Sequence, residues 1–299
     1  MPLPRELPVW KVWALAARPK TLPASIAPIL VGTGVAIHDD GFHAPTALLA
    51  LLTALLLQIA ANFANDALDF RRGADTSARV GPTRITASGL VAPEAVLRAT
   101  ALALALATLT GLYLVWRGGW PFLVLGIAAL VCAVAYTGGP YPLAYLGLGE
   151  LFVFVFFGPV AVTGTAYVQT LELTPLAVAA SLPSGAMAVA ILVVNNLRDL
   201  EQDARAGKRT IAVRIGARNT RREYGAMLLA AHGSTLLLWA AGWLDGWALL
   251  TVGAWPLAWG LWRQISTRSG PALNATLAAT GRASLALAAL LTAALVLAG

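Results

Sequence analysis

Nine stretches of this chain are long and apolar enough to cross a bilayer, and they follow one another with short polar breaks: residues 22–38, 44–66, 94–116, 119–136, 145–168, 174–197, 224–243, 246–262 and 279–298. A hydrocarbon core of about 30 Å takes about 20 residues of helix, and in lipid every backbone N–H and C=O must find its partner within the protein. The pattern predicts an all-α membrane protein, with about nine transmembrane helices around a central cavity. Composition agrees, since only 12% of residues are charged, against about 25% in an ordinary soluble domain, and the mean hydropathy is +0.73. So little chain lies outside the spans that 1–299 is expected to form one integral membrane domain with the lipid bilayer as its solvent. A cleavable leader fits the start poorly, because basic residues there precede an apolar run broken by Pro23 and Pro28. The lone Cys132 and three scattered histidines give no disulfide and no zinc or haem site.

The formal net charge is +7, which raises nucleic acid as a partner, but the positions of the charges argue for membrane orientation instead. If the N-terminus lies in the cytoplasm, every lysine and arginine except Arg117 falls on or near one face, as the excess of basic residues in cytoplasmic loops requires. The expectation is a multi-pass protein of the cell inner (plasma) membrane, N-terminus cytoplasmic and C-terminus outside, with no nucleic-acid partner.

Two spans end in polar side chains that lipid disfavours. The second closes on Asn62, Asn65, Asp66 and Asp69, where Asn62, Asp66 and Asp69 share one face if the helix runs on to Asp69; the sixth closes on Asn195, Asp199 and Asp203, spaced by four. One such cluster would suit a helix end at the water interface, but two matching clusters change that balance. Carboxylates at helix C-termini oppose the macrodipole by roughly 0.3–1 kcal/mol each, so a compensating cation is expected. Oxygen ligands without His or Cys suit Mg²⁺, which keeps waters and is completed by phosphate oxygens. Asp66, Asp69, Asp199 and Asp203 are the expected metal carriers and catalytic residues, with Asn62, Asn65 and Asn195 in support.

The two spans are four apart and so run in the same direction, which lets their acidic ends face one cavity on the cytoplasmic side. Around them stand Arg71, Arg72, Arg79, Arg84, Lys208 and Arg209, a set suited to a polyanion of diphosphate size, although each arginine alone reads equally as an orientation signal. Gly207 can bend the chain and bring Lys208 and Arg209 beside Asp203. A diphosphate at a membrane face suggests a hydrocarbon remainder, hence a prenyl diphosphate whose allylic C–O bond breaks as cations neutralise the leaving group. Tyr136, Tyr141, Phe152, Phe154, Phe156 and Phe157 could steady the allylic cation, or simply pack.

Asn65-Asp66-x-x-Asp69 with Asp199-x-x-x-Asp203-x-x-x-Gly207 resembles the paired motifs of the UbiA superfamily of intramembrane aromatic prenyltransferases. Arg18-Pro-Lys-Thr-Leu-Pro23, the run from Gly81 to Gly89, Gly138-Gly-Pro140, Gly147-Leu-Gly-Glu150 and Gly207-Lys-Arg-Thr210 are similar to its MenA-type, 1,4-dihydroxy-2-naphthoate branch. The resemblance spans roughly residues 18–216. It implies that Mg²⁺ and a polyprenyl diphosphate sit between the two motifs, and that the acceptor is 1,4-dihydroxy-2-naphthoate, alkylated with loss of CO₂ and diphosphate to give demethylmenaquinol in menaquinone biosynthesis. The general pattern has an Asp where this chain has Gly73, and here an Asp follows at Asp75, open between metal and acceptor. Lys20 and Glu150 are open between the acceptor and an interface anchor. The alternatives are another acceptor such as 4-hydroxybenzoate, phytyl transfer to the naphthoate, or a secondary transporter, whose site would be expected nearer mid-membrane.

Overall fold

A computed structural model of the chain describes residues 7–73, 81 and 83–299, and among these every regular element is helical. Helix α1 (Val9–Ala17) ends where Arg18 takes a left-handed backbone, φ 53°. Then come α2 (Pro23–His38), α3 (Ala44–Arg71), α4 (Pro93–Gly118) and α5 (Trp120–Ala135). Helix α6 (Gly149–Val155) passes through a π-helical turn (Phe156–Val160) into α7 (Ala161–Thr170). Helices α8 (Pro175–Arg205) and α9 (Ile211–Ala240) follow, then a 3₁₀ stretch (Gly246–Ala254), α10 (Trp255–Thr267) and α11 (Leu273–Ala298).

By length and composition five helical stretches can cross a bilayer: Ala44–Arg71, Pro93–Gly118, Gly149–Thr170, Pro175–Arg205 and Gly270–Ala298. The expected count of nine is thus not reached by that measure. The shortfall has identifiable causes: Pro23–His38 and Trp120–Ala135 are apolar but short. The expected seventh span falls mostly in α9 and runs three residues past its end, while the first turns of α9 are rich in arginine, and the expected eighth is divided between 3₁₀ and α-helix. The other expected spans each coincide with a helix, shifted by a few residues at the ends.

Helix α8 is the axis of the bundle. Its apolar window is 78% buried, against 22–28% for the windows in Ala44–Arg71, Pro93–Gly118 and Gly149–Thr170. Met187, Val193 and Val194 of α8 pack with Tyr224 and Leu228 of α9, Leu261 of α10 and Leu287 of α11. Close approach depends on small residues, as between helices in lipid generally. A methyl group added at Gly158 in the π turn would stand 2.9 Å from the Gly185 Cα of α8, so Gly158 must stay bare for the turn to lie on that helix, and one added at Gly185 would stand 2.9 Å from the Phe154 ring of α6. Helices α3 and α4 form a paired arm, and the turn at residues 83–90 seats Ile85 against Phe63 and Val96 of that pair.

Between the α3–α5 side and the α6–α8 side lies a cavity of about 450 Å³. Its walls are largely apolar, including Leu57, Leu112, Leu125, Ile127, Val160 and Ile191. Arg18, Asn62, Asn65, Tyr136 and Asn195 also line it. Asp66 and Asp199 stand four positions beyond Asn62 and Asn195, one turn further along α3 and α8.

Candidate active site

Helix α3 runs unbroken to Arg71, so Asn62, Asp66 and Asp69 do fall in one helix, and all three are buried. Asp66 is a docking point for the 83–90 turn: its carboxylate accepts from the backbone N–H of Ile85 and of Thr86, each at 3.1 Å, and from the Thr86 hydroxyl. Asp69 faces cations. Lys208 Nζ lies 3.0 Å and Arg84 Nη2 3.5 Å from its Oδ2, while the Tyr145 hydroxyl donates to Oδ1 at 3.1 Å. Burial and the neighbouring Asp69 carboxylate push the Tyr145 phenol above its ordinary range, which keeps it a donor.

Lys208 reaches this position through the end of α8. Gly207 takes φ 72°, the Lys208 N–H donates to Asp203 O at 2.9 Å and the Gly207 N–H to Ala204 O at 3.2 Å. This is the Schellman closure that a glycine at a helix C-terminus permits. It turns the chain so that Lys208 Nζ lies 3.8 Å from Asp203 as well. One ammonium thereby bridges a carboxylate on α3 and another on α8. The Arg209 N–H donates to the Tyr145 carbonyl at 3.0 Å, tying the same segment to the α5–α6 connection, whereas the Arg209 side chain is exposed.

Asp199 is held by its own neighbour. Arg198 Nε and Nη2 donate to its two oxygens at 2.8 and 2.6 Å, and both side chains are buried. Arg198 also donates to Asn195 Oδ1 at 2.7 Å and to Asn274 Oδ1 at 3.0 Å, so α11 takes part in the site. Asn65 accepts from the Thr137 hydroxyl at 2.7 Å. Asn62 donates to Ala17 O at 2.9 Å and Thr21 Oγ1 at 3.2 Å, fastening the α1–α2 link to α3.

The other residues singled out from sequence are placed less uniformly. Arg72 donates to Gly139 O and lies over the Tyr145 ring. Tyr136 lines the cavity beside Phe152, Phe156 and Phe157; Tyr141 and Phe154 are not among its wall residues. Lys20 is exposed and also off the wall. Glu150 is buried and accepts from Asn196 at 2.9 Å. Arg71 is not brought into the ring of cations: it pairs with Glu94 at 3.0 Å, and both side chains are largely exposed. Such pairs contribute about 0–1 kcal/mol, so Arg71→Ala is expected to leave the thermal unfolding midpoint and turnover nearly unchanged. Asp75 and Arg79 lie outside the described residues. Tyr145, Arg198, Asn274 and Thr86 were not singled out from sequence. Arg198 carried the one available signal, a guanidinium one position before a motif Asp at the end of an apolar helix.

Among the described residues no three His, Cys, Asp or Glu side chains form a group that could hold a metal by themselves. What the site offers is oxygen ligands from two helices converging on a shared cation, with more cations around them, one turn from an apolar cavity. Fold and site together define a protein whose described regular elements are all helical, with five helical stretches long and apolar enough to cross a membrane and a cluster of carboxylates and cations beside an apolar cavity.

Residues 25–278 match the UbiA prenyltransferase family. The chain is 44% identical over 246 residues to the 1,4-dihydroxy-2-naphthoate octaprenyltransferase of Mycobacterium tuberculosis, covering 82% of this chain and 83% of that protein. It is 40% identical over 288 residues to the protein of the same name from Mycobacterium leprae, covering 96% and 97%. A UbiA homologue from Archaeoglobus fulgidus, solved bound to GPP and Mg²⁺, superposes with a TM-score of 0.70 at 14% identity, covering 95% of this chain and 99% of that one. The chain belongs to the UbiA prenyltransferase family.

Proposed function

We propose that this protein transfers a polyprenyl group from a polyprenyl diphosphate to 1,4-dihydroxy-2-naphthoate, releasing diphosphate and CO₂ and giving demethylmenaquinol. The observation that carries the reading is the position of Lys208 Nζ, 3.0 Å from Asp69 and 3.8 Å from Asp203. Carboxylates from two helices, both motif residues, share one positive charge beside an apolar cavity. The names of the mycobacterial relatives supply the acceptor class.

The donor set fits a hard divalent cation. Asp66, Asp69, Asp199 and Asp203 are all oxygen donors on two arms, and Mg²⁺ binds through one or two carboxylates with substrate phosphates completing its shell. When bound, Mg²⁺ neutralises charge on the departing diphosphate. The chain's own cations, Lys208 and Arg84 beside Asp69 and Arg72 over the Tyr145 ring, work towards the same end. The wall formed by Phe122, Phe152, Phe156 and Phe157 gives the prenyl group an apolar bed and keeps water from the allylic carbon. Phe152 and Phe156 lie nearly parallel, ring centroids 6.3 Å apart, presenting π faces that can steady developing positive charge. Asn62, Asn65, Asn195 and Tyr136 offer neutral hydrogen-bonding groups at the polar end of the cavity, suited to orienting a dihydroxylated ring. Attack by the ring carbon that bears the carboxylate forms a C–C bond and leaves a β-keto acid, which loses CO₂ as the ring regains aromaticity.

The excess of lysine and arginine around the acidic end supports a site facing the cytoplasm of the inner membrane, with the N-terminus inside and the C-terminus outside. The test incubates purified full-length protein with Mg²⁺, a prenyl diphosphate and a panel of ring acids. The expected outcome is a prenylated, decarboxylated naphthalenediol identified by mass, with stoichiometric CO₂, abolished by a chelator and restored by Mg²⁺. Product from 4-hydroxybenzoate but none from the naphthoate would overturn the acceptor assignment.

A further inference from the structure

We propose that Tyr145 is a positioning residue for the diphosphate end of the donor: its ring gathers Arg72 and Lys208, which come from different helices, into one pair of cations ready for a single polyanion. The proposal rests on the prenyl-transfer reading above and adds to it a residue that neither acidic motif contains.

Tyr145 lies on the connection between α5 and α6. The Arg72 guanidinium stands 5.1 Å and the Lys208 ammonium 4.9 Å from its ring centroid, both within cation–π range. Arg72 is the first residue past α3 and Lys208 the third past α8, so each is a long side chain just beyond the end of its helix. Ordering such chains costs rotamer entropy, and bringing two like charges together costs Coulomb energy. An aromatic face offsets both before any substrate arrives, which lowers the cost of binding in the way preorganisation generally does. The ring is itself held at several points. Its hydroxyl donates to Asp69 at 3.1 Å, its carbonyl accepts from the Arg209 N–H at 3.0 Å, and Arg72 is further fixed to the Gly139 carbonyl of the same connection. Tyr145 thus joins α3, the α5–α6 connection and the segment after α8. Arg84 approaches the same Asp69 carboxylate, its Nη2 3.5 Å from Oδ2, and Asp203 lies 3.8 Å from Lys208.

The experiment measures binding of geranyl diphosphate with Mg²⁺ and no ring acid, by calorimetry on the detergent-solubilised full chain, for wild type, Y145F, Y145L and Y145M. Y145F keeps the ring and is expected to bind within about twofold of wild type, whereas both ringless variants are expected to lose about tenfold in Kd. In turnover the ringless variants should show a raised KM for the prenyl diphosphate, with kcat and the KM for the ring acid little changed, a split that a general loosening of the fold would not produce. Two ringless variants of different shape keep a folding defect peculiar to one from deciding the result. Binding by Y145L and Y145M within about twofold of wild type overturns the proposal, and so does an equal loss in Y145F. Wild-type protein that bound no geranyl diphosphate would sink the prenyl-transfer reading itself and this proposal with it, so the two failures are distinguishable.

Discussion

Asp199→Asn is expected to cut turnover by about 100- to 1000-fold and to lower stability by up to about 3 kcal/mol, while the protein still inserts. The two effects have one origin. The Asp199 carboxylate takes both a 2.8 Å and a 2.6 Å bond from Arg198, and both side chains are buried. An amide in its place offers Arg198 one oxygen and turns an N–H₂ towards the other donor. The guanidinium is then left short of a counter-charge in a setting where water cannot replace it. Asn195 and Asn274, which share Arg198 at 2.7 and 3.0 Å, retain part of the network, which is why the stability loss falls at the low end for a broken buried pair. Product formation by mass and denaturation in detergent measure the two effects separately. Full turnover in the variant would remove Asp199 from the reaction.

Lys208→Ala carries a prediction of opposite signs. The prenyl diphosphate is expected to bind more weakly by about 1.5–3 kcal/mol, the worth of a charge-assisted contact. A divalent cation alone, by contrast, should bind more tightly. In the wild type the ammonium occupies the space between Asp69 and Asp203, and two unit charges about 4 Å apart at an effective dielectric of about 20 interact by about 4 kcal/mol. Removing it leaves a pocket of higher negative potential. Calorimetry with geranyl diphosphate reads the first effect, and Mn²⁺ titration followed by electron paramagnetic resonance reads the second. Weakening of both would mean that Lys208 holds the site together rather than competing with the metal within it.

The helices were legible because lipid admits few backbone solutions, so apolar runs mark them, although by length and composition only five of the nine expected spans reach a bilayer's width. The acidic ends of α3 and α8 were legible because Asp66, Asp69, Asp199 and Asp203 stand where lipid disfavours charge. The basic residues were harder. A bilayer places arginines on one face whether they serve orientation or chemistry, so Arg71, paired outward with Glu94, and Arg84, buried against Asp69, look alike as letters. Arg198 was absorbed into the orientation signal for the same reason. Tyr145 fell at the edge of an apolar run and read as the first residue of a span, although the helix starts at Gly149. Its role depends on the α5–α6 connection folding back over the ends of two other helices, a tertiary event with no local periodicity. Asn274 was invisible because its partner lies 76 residues away.

The π-helical turn at Phe156–Val160 works as a phase shift. A regular helix advances about 100° per residue, so consecutive positions seldom share a face for long. The wider turn slows that rotation, and Phe156, Phe157, Val160 and Ala161 all reach the cavity wall, with Gly164, Thr165 and Val168 continuing the same stripe below them. Deleting one residue from the turn would leave hydrophobicity and length almost untouched. It would nevertheless swing the downstream stripe by roughly a quarter of a revolution, turning different side chains towards the cavity.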